Sequence, residues 1–442
     1  MSQRWNNRIS AVLEPTLLQP SACKDSHYRR NSIILICAGI FVLAFVIRIG
    51  LLFATHSYRS IEYSELVNVA TSLAQGRGFA NAFGNTGPTA HISPLYPLLL
   101  SVVYRWFGTG TTGEIAQETL SCFLAALTWA LIPLLAEICQ FDRCVGVGAA
   151  SAGAVLTINR WAETKGSSEA AMAGLACVLL VMCYMRFWYV RDFSVRAAIS
   201  TGILSGLALL VSASLGSIVL GVLLTGYFLF RATAAKMYLR FGLVAVAAIL
   251  VTLLPWALRN YFVLGDLVWT RSNFPLELMV SNNDYARARL QDNDQAGLRY
   301  HPYMSAEQRE AVTGMGELAY QRKVKGQALR WIASHPRRFA WLTLQRIYYV
   351  WFPEMKRPLQ SMALAFLALA GIPALVVLLK RRLPIGYGLL TIWVAYPLVY
   401  YVVQTHPRYV YPMQWTMYLL CSQSVWLAYR RFVDRAPGTP ND

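Results

Sequence analysis

Charge is scarce in this chain: Asp, Glu, Lys and Arg make up 14% of its 442 residues, 56% are hydrophobic, and the mean hydropathy is +0.40. Soluble globular domains carry roughly 25% charged residues, so an ordinary water-soluble domain is excluded. Acids are scarcer still, 22 against 40 Lys and Arg. The eight cysteines show no paired spacing, and Cys37, Cys122, Cys177, Cys183 and Cys421 sit within apolar runs, which argues for free thiols over a disulfide framework. No Gly-rich phosphate loop is present, which counts against a nucleotide-sugar donor. Low-complexity linkers, internal repeats and inverted halves of the transporter kind are missing as well.

Long apolar runs are what the chain has in abundance. A helix of ~20 residues crosses the roughly 30 Å of bilayer hydrocarbon. Ten runs approach that length: 32–54, 115–139, 145–158, 170–190, 197–211, 214–230, 241–256, 361–379, 385–403 and 411–429. The expected fold class is therefore all-α, a polytopic membrane helical bundle of about ten transmembrane helices with juxtamembrane helices on its outer surface. The shorter runs, 145–158 and the pair 197–211 and 214–230, are where span boundaries are least defined.

Lys and Arg of short loops stay cytoplasmic. Arg29 and Arg30 precede the first run; Arg186, Arg191 and Arg196 flank one turn, Arg231, Lys236 and Arg240 another, Lys380, Arg381 and Arg382 a third; Arg430, Arg431 and Arg435 follow the last run. The expectation is a multi-pass protein of the plasma (inner) membrane with both termini cytoplasmic. Its parts are a tail (1–31), an N-terminal bundle (32–256) that includes an outer loop (56–113), a second outer loop (257–360), C-terminal spans (361–430) and a tail (431–442). The first run is too long, and lacks the small-residue site, for a removable leader, so it reads as a retained anchor.

The second outer loop has fifteen Lys and Arg against nine Asp and Glu, a balance suited to anionic lipid or phosphate. Its later part alternates cations with aromatics (Lys325, Arg330, Trp331, Arg338, Trp341, Arg346). Flanked by spans, that pattern marks helices lying on membrane lipid, and it is not evidence for nucleic acid. His56, His91, His301, His335 and His406 fall on the expected outer side; the first reading is interfacial side chains, and a metal site stays open though no ligand spacing stands behind it.

One acid stands out. If residues 61–75 form a helix, Leu66, Val69 and Leu73 point within about 40° of Glu62, and Glu65 lies about 60° to the side. An unpaired carboxylate on a buried apolar stripe costs several kcal/mol, so Glu62 needs a partner, such as Arg48 or Arg59, or a function. Downstream, Gly76, Gly78, Gly84, Gly87 and Pro88 make a turn-dense loop before a second helix starts after Ser93-Pro94.

The order Glu62-x5-Asn68-x-Ala70-x2-Leu73-x2-Gly76-x-Gly78-Phe79, then Thr86-Gly87-Pro88-Thr89-Ala90 and Pro94-Leu95-Tyr96-Pro97, resembles the GT-C glycosyltransferases, in particular bacterial relatives of aminoarabinose transferase and protein O-mannosyltransferase. "LPWALRN" (254–260), "RSNFPLELMVSNND" (271–284), "GELAYQRKVKGQALRWIASHP" (316–336) and "THPRYVYP" (405–412) agree with it. The resemblance implies a helical bundle topped by surface helices, a polyprenyl-phosphate sugar donor, and catalysis by the acid after the first span. The family's usual acidic pair is reduced here to Glu62, and His91 stands near the place of its usual lysine.

The chemistry agrees. Transfer from a lipid phosphate to a hydroxyl needs a proton acceptor and cations for the departing phosphate. Glu62 is the candidate catalytic residue. Arg59, Arg259 and Arg408, each at an expected outer interface, are the candidate phosphate ligands, since a guanidinium makes two parallel hydrogen bonds to phosphate. Glu65, His91, Tyr96, His406 and Tyr409 complete the substrate-binding set. The residues fix no cofactor, and a divalent cation is compatible. The acceptor class stays open among lipid, glycan and protein. A surface-polysaccharide polymerase or ligase shares this donor. A lipid-linked sugar flippase or transporter should place polar or broken helices at mid-membrane, whereas the ionisable exceptions in these runs, Arg48, Glu118 and Glu137, with Arg186 near its turn, lie toward their ends.

Overall fold

The computed structural model describes residues 26–60 and 64–433. Among these the regular structure is helical, with isolated bridges at Ala80–Pro88 and Arg289–Thr405 as the only β pairing. Helix α1 (Ser26–Thr55) leads through a single turn (Ser57–Arg59) to α2 (Glu65–Ala74) and α3 (Leu95–Phe107) of the first outer block. The first bundle follows as α4 (Thr111–Ile138), α5 (Arg143–Val155), the short α6 (Arg160–Thr164), α7 (Ala170–Val190), α8 (Val195–Val211) and α9 (Leu215–Leu264). The second outer block is α10 (Phe274–Ser281), α11 (Asp294–Tyr300), α12 (Ala306–Met315), α13 (Glu317–Ser334) and α14 (Pro336–Trp351). Helices α15 (Pro358–Lys380), α16 (Pro384–Ala395), α17 (Leu398–Val402) and α18 (Pro407–Val433) complete the described chain.

Among the described residues, six stretches are long and apolar enough to cross a membrane: most of α1, then α4, α7, α9, α15 and the α16–α17 pair. Their exposed faces are apolar. On α1, Leu35, Val42 and Val46 point outward while Ile33, Ile40, Ala44 and Leu52 are buried, the division expected of a helix with lipid on one side and protein on the other. Helix α9 covers two expected runs. Its 50 residues would reach about 75 Å at 1.5 Å per residue, far beyond one crossing. Ala234, at φ −147° and ψ 32°, breaks it within a cationic stretch. Helix α18 covers run 411–429 and buries it at the centre of the bundle, with Met413, Trp415, Tyr418 and Leu419 fully enclosed.

Small residues let the helices close. A Cβ on Gly153 of α5 would lie 2.1 Å from the Trp129 ring of α4, and one on Gly202 of α8 would lie 2.4 Å from the Ala245 carbonyl of α9. Dispersion and close backbone approach replace the hydrophobic effect as the association force inside lipid.

The outer blocks share a core of their own. Val69, Phe79, Ala82 and Phe83 pack with Leu276, Met279, Tyr320 and Val324, while Leu66, Val67 and Ala70 of α2 seat on Tyr96 and Leu100 of α3 and Leu124 of α4. The helix expected over 61–75 starts at Glu65, because Ser64 is extended (φ −146°) and its side chain accepts from Val67 N. Glu62 precedes α2 and lies outside the described residues, so the helical-wheel placement does not extend to it.

Among the described residues, the partner of Arg48 is Glu163. Arg48 is buried, donates to the Gly153 and Ala154 carbonyls, and bonds Glu163 Oε1 at 3.0 Å. Removing one partner of a buried pair strands the other charge, at ~3–5 kcal/mol. Arg48→Met should therefore lower the thermal stability of the detergent-solubilised protein sharply, and adding Glu163→Gln should restore most of it.

Candidate functional site

The site grows from the connections at one end of the bundle. Ser64 caps α2 and also donates to Ser167 O at 2.9 Å, which turns Glu65 toward the 167–169 segment. After α2 the chain reverses through Gly76 and Gly78, both at positive φ, where a side chain would be strained. Asn68 Nδ2 holds Ala82 O at 2.9 Å and Asn81 Oδ1 accepts from Gly87 N at 3.2 Å, so the loop delivers Thr89, Ala90 and His91 to the bundle. Ser272 N then bonds Ala90 O at 2.8 Å, and Arg271 arrives beside them.

These segments surround a cavity of about 410 Å³. Glu65, His91, Glu169, Arg271, Glu277, Arg408 and Tyr409 line its polar part, and its floor is made by span ends, among them Ala173, Ser214, Ser217, Tyr396 and Val399. Arg271 pairs with Glu169 at 3.4 Å. Gln404 links Glu277 (3.3 Å) to Asn293 (2.7 Å). Arg408 enters from the first turn of α18 with its guanidinium between two rings, 5.2 Å from the Trp161 centroid and 5.1 Å from that of Tyr409. Tyr409 stacks on Tyr400 at 4.9 Å. Two aromatic faces favour the cation, and its Nη2 also donates to the Tyr409 hydroxyl at 3.3 Å.

A second group meets beside the cavity. One ligand atom from each of Glu65, His91 and His301 lies within 4.8 Å of the others, with Glu65 Oε1 3.7 Å from His301 Nε2. His91 is buried against Phe83, its Nδ1 has no hydrogen-bond partner, and burial, with His301 and Arg271 nearby, holds its pKa well below the ordinary value. It is a neutral imidazole, the form that binds metal.

Of the residues expected to form the site, the structure gathers Glu65, His91, Arg408 and Tyr409 around one cavity. Others fall elsewhere. Arg59 is exposed, outside the lining. Tyr96 is buried and donates to Gly166 O at 2.8 Å. Arg259 grips the Phe79 and Thr89 carbonyls, each at 2.7 Å. His406 stands behind Arg408, accepting from its backbone N–H at 3.2 Å, and burial, aided by Arg408's charge, drives its pKa to about 3. The chain's one Asp-x-Asp, Asp292-Asn293-Asp294, is outside the lining, with Asp292 paired to Arg289.

Sequence reasoning missed Lys165. Its ammonium bonds Glu114 Oε1 at 2.6 Å, Glu118 Oε1 at 2.9 Å and the carbonyls of Ser57 and Ser60 at 3.1 and 2.5 Å. A signal existed: it is the only lysine between Lys24 and Lys236, and it falls on the expected outer side, where the charge bias of loops does not explain it.

Solved structures contain this arrangement of helices. The archaeal oligosaccharyltransferase AglB from Archaeoglobus fulgidus, in complex with an inhibitory peptide and a dolichol-phosphate, matches with a TM-score of 0.56 at 14% identity, over 94% of this chain and 53% of its own. The fold is GT-C. The same archaeal enzyme in complex with Zn and sulfate gives 0.54 at 15% identity, over 91% of this chain and 50% of its own. Tethered to an acceptor peptide containing the NVT sequon, it gives 0.55 at 16%, over 94% and 51%. The chain described here thus spans about half the length of these matches. No protein-family model and no curated protein matches its sequence.

Lys165 generates a pH prediction. Burial disfavours its ammonium, but the bonds to Glu114 and Glu118 outweigh that and hold its pKa above the ordinary 10.5. A raised folded pKa means that the stabilisation is complete below the unfolded value and is lost as pH rises through the folded one. The melting-temperature gap between wild type and Lys165→Met should stay constant from roughly pH 7 to 10 and shrink above that.

Proposed function

We propose that this chain is an integral-membrane glycosyltransferase that moves a sugar from a polyprenyl-phosphate-linked donor to a lipid, glycan or protein acceptor on the outer face of the plasma membrane. The observation that carries the reading is one cavity that joins an aromatic-clamped guanidinium, carboxylates and the ends of spans, among whose side chains are Ala173, Val399 and Val403. A polyprenyl phosphate has the same division, an anionic head on a hydrocarbon chain. The archaeal enzyme of the same fold was captured with a dolichol-phosphate and, separately, with an acceptor peptide, which supports the donor class and leaves the acceptor open.

The face follows from the helices. Each cavity-lining span reaches the cavity at one end and carries cations at the other: α7 from Ala170 to Arg191, α8 from Ser212 back to Arg196, α18 from Arg408 to Arg430 and Arg431. Cationic ends belong in the cytoplasm, which supports an outer face for the cavity.

In the reaction, the acceptor oxygen bonds to the anomeric carbon, the bond from that carbon to the phosphate oxygen breaks, and the acceptor's proton passes to a carboxylate. We assign that proton to Glu62, with Glu65 on the cavity wall orienting the sugar. Arg408, aided by Arg271, takes the charge left on the phosphate. Glu65, His91 and His301 suit a divalent cation, since two imidazole rings and a carboxylate are a zinc-type donor set and His91 Nδ1 is otherwise unused among the described residues. Bound there, the ion would supply further positive charge against the phosphate.

The test offers purified protein a labelled polyprenyl-phosphate sugar or a labelled nucleotide sugar, each with a lipid-extract acceptor. Transfer is expected from the lipid-linked donor alone. Glu62→Gln should lower turnover on the order of 10²-fold with folding intact, and Arg408→Ala should weaken donor binding by roughly 10- to 150-fold. Transfer from the nucleotide sugar alone, or vectorial lipid movement without transfer, would overturn the reading.

A further inference from the structure

Three of the segments singled out in the sequence meet at a side chain that the proposed reaction does not use. Glu317, the first residue of α13, is buried. Its Oε1 accepts from Ala90 N at 2.9 Å and from Ser272 Oγ at 2.7 Å, and its Oε2 accepts from the Thr89 hydroxyl. Thr89 Oγ1 in turn accepts from His91 N at 2.9 Å. Arg259 holds the other side of Thr89, through its carbonyl at 2.7 Å. One carboxylate therefore ties together 86–90, 271–272 and 316–317, which are far apart in sequence. The residues next to two of the ties, His91 and Arg271, are cavity-lining side chains.

We infer that Glu317 is the positioning residue that sets His91 and Arg271 on one wall of the cavity. A helix N-terminus suits an anion there, and a carboxylate can take all three donors where a neutral side chain cannot. The role in catalysis rests on the transferase reading; the geometric role does not.

The test uses the full chain in lipid nanodiscs. In Glu317→Leu, amide hydrogen exchange in peptides covering 88–93 and 270–273 should speed up about tenfold or more, while the opposite wall, 402–409, keeps its wild-type rate. Glu317→Gln, which retains one acceptor oxygen, should restore most of the protection. Should Glu317→Leu fail to fold, Thr89→Val with Ser272→Ala removes two of the donors, and the same peptides are read. Unchanged exchange at 88–93, or an equal rise at 402–409, would overturn the inference. In the transfer assay, Glu317→Leu should reduce turnover in wild type and cost little in a His91→Ala, Arg271→Ala background; equal costs in both would show that it does not act through them. Absence of transfer in wild type would sink the transferase reading and leave the exchange result to judge Glu317.

Discussion

Charges buried where the spans end fix the geometry of everything above them. Arg48 meets Glu163, and Lys165 meets Glu114 and Glu118, all with side chains at most 7% exposed. Each ion costs several kcal/mol to desolvate, so none is tolerable without its partner. Glu163 and Lys165 sit two residues apart, and the segment that carries them can dock in one place only. That docking sets Ser167 against the Ser64 cap and Glu169 against Arg271, which makes the 167–169 wall a consequence of the ion pairs.

The opposite wall is held by a different device. Arg346 of α14 is fully buried, and its acceptors among the described residues are the Ser281 and Val402 carbonyls and Asn282 Oδ1, with no carboxylate. Ser281 ends α10 and Val402 ends α17, so two helix C-termini supply the negative potential that an acid would. Burial still pushes the guanidinium's pKa down to about 9. Gln404 N bonds Ser281 Oγ at 2.7 Å, and the chain passes directly to His406 and Arg408. A cation without an acid thus anchors the segment that presents the cation proposed to bind phosphate.

Much of this was legible in the sequence. Hydrophobic runs gave the helices because a span needs length and little else, and the glycine turn signals marked the connection between α2 and α3. Glu65, His91, Arg408 and Tyr409 could be placed near one another through motif resemblance. The ties were not legible. Lys165, Glu317 and Arg346 act through partners at sequence separations set by the docking of blocks, and no local period or spacing encodes those. His301 joined Glu65 and His91 for the same reason: 210 residues separate it from His91. Arg259, expected at the phosphate, went to backbone carbonyls instead, because interfacial position alone does not say which way a long side chain turns.

The central claim is that the outer cavity receives a lipid phosphate. Electron cryomicroscopy of the full chain in nanodiscs loaded with a polyprenyl phosphate tests it directly. The account predicts phosphate density within hydrogen-bond distance of Arg408, with the isoprenoid running over the floor past Ser217 and Val399. Phosphate seated instead at the cationic turn of Arg231, Lys236 and Arg240, with the cavity empty at saturating lipid, would contradict it.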